Sequence, residues 1–128
     1  MSSAIAEELA SFLEQRAGDS LRAVGHYSAE EYGVVYLRED LRQQYTDDEI
    51  EGIVEELRWE SFGKSNQEGQ FHLGELNCSI KAFEEAVVMH FPSDGKHGTL
   101  VSLDSEAAQD LLQFIVECLS RIERIRTQ

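Results

Sequence analysis

The chain has 128 residues, with 25 Asp and Glu against 11 Lys and Arg, for a formal net charge of −14. That length suits one domain with a single core, and an apolar fraction of 41% separates it from the acidic tails that stay unfolded. The charge balance argues against partners held by cationic surface: nucleic-acid binding rests on neutralising phosphates with Lys and Arg, no basic stripe interrupts the carboxylates, and an anionic membrane surface is disfavoured likewise.

Lysine occurs only at Lys64, Lys81 and Lys96. The acids are spread along the whole length and interleave with periodic apolar positions. A folded core in an anionic coat repels itself at low ionic strength, and molar salt, with a Debye length of about 3 Å, removes most of that penalty. The composition therefore predicts a halophilic protein. The first residues lack the charged and apolar regions of a signal peptide, and no apolar run approaches the ~20 residues of a membrane-spanning helix. The expected compartment is the cytoplasm. Cys78 and Cys118 lie far apart without a CxxC or His-rich neighbourhood, and read as small apolar residues rather than a disulfide or metal pair.

In chain order, Ile5, Leu9, Phe12 and Leu13 form one stripe of a helix over 4–16, ended by Gly18. Residues 21–27 and 32–37 read as two strands joined by the polar turn 28–31. Thr46 and Glu49 form a capping box ahead of a second helix, with Ile50, Ile53, Val54 and Leu57 as its buried stripe to about Glu60. The polar, Gly-bearing stretch 62–70 reads as the longest loop.

A two-residue turn at Glu84–Glu85 pairs Phe83 with Ala86, Ala82 with Val87, Ile80 with Met89 and Cys78 with Phe91. The intervening pairs, Lys81 with Val88 and Ser79 with His90, then face the other way and are more polar. A one-residue slip would mix the two sets, so the pattern favours this register. A fifth strand covers 99–103. Asp104 or Ser105 then caps a last helix from Glu106 to about Arg124, whose Ala107, Ala108, Leu111, Leu112, Ile115, Cys118, Leu119 and Ile122 give the broadest apolar face in the chain.

The predicted fold is thus α+β: a five-stranded, mainly antiparallel sheet with three helices in the order α-β-β-α-β-β-β-α. This element order resembles that of roadblock and longin domains, which share a profilin-like layout; the resemblance implies a protein-binding scaffold or homodimer. The stretches Gly-Val-Val-Tyr-Leu-Arg-Glu-Asp (33–40) and Gly-Glu-Leu…Phe-Glu…Val-Val-Met-His-Phe-Pro (74–92) are similar to small uncharacterised proteins of halophilic archaea, which implies a habitat and no activity.

No P-loop, GxGxxG, HExxH or GxSxG motif occurs. Three histidines, His72, His90 and His97, could meet near one sheet edge with Asp94, but their spacing matches no known ligand pattern and they read as exposed or half-buried. Adjacent carboxylates such as Glu84 and Glu85 read as solvated surface, and Arg38-Glu39-Asp40 as a strand-to-helix connection with a local ion pair. No catalytic residue, metal or cofactor is predicted. The residues singled out for an interface or ligand contact are Tyr27, Tyr32, Tyr36, Trp59 and His90, because Tyr and Trp anchor interfaces. The leading expectation is a non-enzymatic protein-interaction or scaffold module, working through a protein partner or as a homodimer, with no nucleic acid and no membrane. The alternative is a sensor holding a small molecule between sheet and helices near Tyr36, Trp59 and His90, which requires an internal cavity.

Overall fold

The computed structural model describes residues 2–93 and 96–126, with the side chains of residues 2, 3, 114, 115, 118, 122, 125 and 126 outside that description. Five strands, β1 (Leu21–Tyr27), β2 (Tyr32–Leu37), β3 (Ser79–Ala82), β4 (Ala86–Pro92) and β5 (Gly98–Asp104), form one antiparallel sheet in the order β2-β1-β5-β4-β3. The two hairpins β1–β2 and β3–β4 are therefore joined laterally by the last strand. Five α-helices accompany them: α1 (Ser2–Ala17), α2 (Glu39–Gln44), α3 (Asp47–Phe62), α4 (Lys64–Phe71) and α5 (Gln109–Arg126). Short 3₁₀ turns follow α1 and precede α5.

The α+β class and the single antiparallel sheet follow the sequence pattern, and the β3–β4 register has Ser79 opposite His90, Ile80 opposite Met89, Lys81 opposite Val88 and Ala82 opposite Val87. Phe83 N donates to Ala86 O across the two-residue turn at 2.9 Å, and neither Glu84 nor Glu85 takes positive φ. The capping box also forms, with Thr46 Oγ1 accepting from Glu49 N and Glu49 Oε1 accepting from Thr46 N.

Two helices were not predicted. α2 is a single short turn seated by buried Leu41. α4 replaces the expected loop because Glu68 gives that polar segment specific partners: it pairs with Lys64 one turn back (2.6 Å) and accepts from Leu76 N (2.8 Å). His72 ends α4 in the left-handed conformation at φ 55°.

α1 also sits in a different rotation from the one its large residues suggest. Ala6, Ala10, Leu9, Leu13 and Ala17 face Leu21, Val24, Val101 and Leu103 of the sheet, while Ile5 and Phe12 are exposed. Small side chains let the helix lie close to the strands, and that contact prevails over burying the bulkier pair. On the other sheet face, α3 contributes Val54 and Leu57 to a second cluster with Tyr27 and Leu100. Both faces of the sheet are thus covered, so the side of β4 carrying His90 is interior.

Candidate functional site

The face under α3 is poor in side-chain volume. Its floor is built from Ala23 and Gly25 of β1, Ser102 of β5 and Ala86 of β4, all small, while its roof is Leu41 and Tyr45 around α2 with Ile50, Val54 and Leu57 of α3. Close packing leaves few voids wider than a water molecule in an ordinary interior. Here the small floor leaves a cavity of about 540 Å³, open to solvent on the side of exposed Val34, Ile53 and Phe83 and within the size range of small-molecule sites. Its lining is mainly aliphatic and aromatic, with Arg22, Lys81, Ser102 and Tyr27 as convergent polar groups and Glu56 and Glu85 among the acidic ones.

Tyr27 links the cavity to a polar chain. Its ring is 1% exposed, and its hydroxyl lies 2.7 Å from His90 Nε2, against Ser61 Oγ, and 3.4 Å from Leu57 O. His90, also 1% exposed, places Nδ1 3.2 Å from Glu60 Oε2. The two atoms are shielded from solvent and not aligned as a full hydrogen bond. Glu60 Oε1 takes Lys81 Nζ. With the imidazole proton on Nδ1 facing the carboxylate, Tyr27 donates to Nε2 and Ser61 donates to Tyr27, which gives one continuous direction of donation. Burial lowers the His90 pKa from its usual value, while Glu60 pulls it back up. This chain ties the C-terminal end of α3 to β1, β3 and β4.

A second polar cluster closes the opposite end. Arg38 spans Asp104 with Nη1–Oδ2 at 2.6 Å and Nη2–Oδ1 at 3.2 Å, and also grips Asp40 at 2.7 Å and Asp19 O at 2.8 Å. The hydrogen bond from Arg38 lowers the Asp40 pKa. Arg22 donates Nε to Ser102 Oγ at 3.0 Å and keeps Nη1 3.8 Å from Asp104. The sequence announces an ion pair at Arg38-Glu39-Asp40, but only the fold brings Asp104 and Arg22 to it.

Of the residues singled out from sequence, Tyr27 and His90 meet directly, and Tyr32 lines the cavity beside Tyr27. Two others lie elsewhere. Tyr36 packs on the α1 side of the sheet because a bulge between Val24 and Gly25 shifts the pairing of β2. Trp59 is 71% exposed and meets Phe62 edge-on at 6.0 Å. A ligand site at Tyr36, Trp59 and His90 together is therefore not formed. His90, expected to be exposed or half-buried, is interior because α3 covers its strand face; His72 is exposed. Asp94 lies outside the described residues, and among those no group of three or more His, Cys, Asp or Glu is placed to hold a metal ion. Cys78 is a half-buried free thiol whose pKa burial raises, whereas the Cys118 side chain lies outside the described residues. Glu60, Ser61, Arg22 and Ser102 were missed, since nothing in their local spacing distinguishes them from surface positions.

Residues 7–123 match the family described as Domain of unknown function (DUF7522). The chain belongs to that family. Among curated proteins none matches it. In this DUF7522 domain no described helix is long and apolar enough to cross a membrane. Its cavity has apolar walls, the buried Tyr27–His90 pair at one end and a guanidinium at the other, an arrangement suited to holding and orienting an organic molecule.

Proposed function

We propose that this DUF7522 domain is a non-enzymatic sensor that binds a small, largely apolar molecule between α3 and the sheet. The observation that carries this reading is the cavity of about 540 Å³ roofed by α3 and floored by small residues. An open-sided apolar cleft of that size holds water that a largely apolar guest would displace favourably. The polar chain through Tyr27 and His90 lets occupancy be felt at the end of α3, because the same tyrosine borders the cavity. Thermal unfolding against a metabolite library tests the proposal. A ligand is expected to raise the melting temperature of the native chain and leave Val88→Phe, which fills the cavity from β4, unaffected. Equal shifts in both proteins, or none in either, would refute it.

A protein-interaction role in a halophilic cytoplasm is the second reading, supported by exposed apolar groups on two surfaces. Leu111, Val116 and Leu119 on α5 and the Trp59–Phe62 pair on α3 face solvent on a protein of net charge −14. The resemblance of the predicted element order to that of roadblock and longin domains favours a homodimer or a scaffold on a larger regulator. Sedimentation in about 2 M KCl, where surface charge is screened, should show self-association; a strict monomer at high concentration removes the homodimer version.

A further inference from the structure

We propose that the ligand ends in a single carboxylate and that Arg22 holds it; this rests on the small-molecule reading above. The side chain of Arg22 lines the cavity and is only 15% exposed. Its Nε is fixed by Ser102 Oγ, which orients the guanidinium plane. The terminal nitrogens, however, make no hydrogen bond within the described residues. The nearest carboxylate, Asp104, gives both oxygens to Arg38 at 2.6 and 3.2 Å and stands 3.8 Å from Arg22 Nη1. The terminal nitrogens are not among the buried polar atoms left without a partner, so they open onto solvent where a bound carboxylate can reach them. The planar fork of Arg22 matches a carboxylate through two parallel hydrogen bonds.

The rest of the lining narrows the charge of the guest. Lys81, the second cation of the wall, is already paired with Glu60, whereas Arg22 has only the long 3.8 Å contact with Asp104, so its fork is the one with donors to spare. Glu56 and Glu85 on the lining repel a more highly charged anion. An apolar body with one carboxylate fits the volume, the walls and the spare donors of Arg22 together. Ser102 acts as a positioning residue, because it reaches the guest only through Arg22.

Calorimetric titration of the full chain with octanoate and with octanol, which share the apolar tail, tests this in about 2 M KCl, where the anionic coat is screened. Octanoate should bind about ten- to a hundredfold more tightly than octanol, the ratio typical of hydrogen bonds to a charged group. Arg22→Met should abolish that preference, while Ser102→Ala should reduce it without removing it. If Arg22→Met fails to fold, Arg22→Lys, which keeps the charge and loses the fork, should still lower the octanoate-to-octanol ratio. A preference for octanoate that survives both Arg22 substitutions overturns the proposal. Equal binding of both probes by the native chain overturns it while sparing the cavity reading, and binding of neither removes both.

Discussion

Tyr27→Phe offers the most direct probe of how α3 is held on the sheet. The substitution keeps the ring in a pocket where it is 1% exposed and deletes only the hydroxyl. Two partners then lose a contact inside the protein, His90 Nε2 at 2.7 Å and Ser61 Oγ. Leaving a buried polar group without a partner costs about 1–3 kcal/mol. Ser61 can turn its hydroxyl toward a nearby carbonyl of its own helix, which recovers part of that loss, so about 2–4 kcal/mol is expected. Denaturant unfolding at high salt measures the difference as a shift in midpoint at unchanged slope. Tyr32→Phe is the control, since Tyr32 borders the same cavity but is exposed and should change stability by less than about 0.5 kcal/mol. A Tyr27→Phe cost as small as the Tyr32→Phe cost would show that the chain from Ser61 to Glu60 contributes nothing to stability.

Acidification supplies a second test. Burial depresses the folded-state pKa of His90 below 6.5, so the unfolded chain binds more protons than the native one just below that value. Stability should fall as pH drops through 6.5 and continue falling to the lower folded pKa. His90→Gln should flatten that dependence without removing it, because burial shifts His26 in the same direction; an unchanged pH profile would contradict the assignment. Gly98→Ala should cost more than a surface change, since a Cβ there would stand 2.6 Å from Tyr27 Cζ, and loss of Tyr27 protection in hydrogen exchange or NMR would report the displacement. Thr46→Ala should cost about 1 kcal/mol by removing the helix cap, measured by denaturant melts.

The sheet was legible because its information is local. Alternation in residues 79–91 specifies register, and Thr46 with Glu49 announces the start of α3 without reference to anything distant. The candidate site was only half legible. Tyr27 and His90 stood out as residue types, yet their meeting depends on β5 lying between β1 and β4, a pairing no local pattern encodes. Likewise the cavity arises from what is missing at Ala23, Gly25, Ala86 and Ser102, and small residues leave no periodic signature. The bulge at Val35 of β2 that turns Tyr36 to the other face is equally invisible in a run such as Tyr-Gly-Val-Val-Tyr-Leu. On α1, the stripe rule selected Ile5 and Phe12, whereas proximity of helix to strand selected the alanines.

Strand order has a consequence for biosynthesis. The central position of the sheet is occupied by β5, the final strand to leave the ribosome, with β1 and β4 on its two flanks. Until residues 98–104 emerge, the two earlier hairpins each present a naked edge with no mate, and their union depends on contacts spanning some eighty positions, as between Leu21 and Leu103. The sheet of this domain therefore closes only once β5 is available to both hairpins.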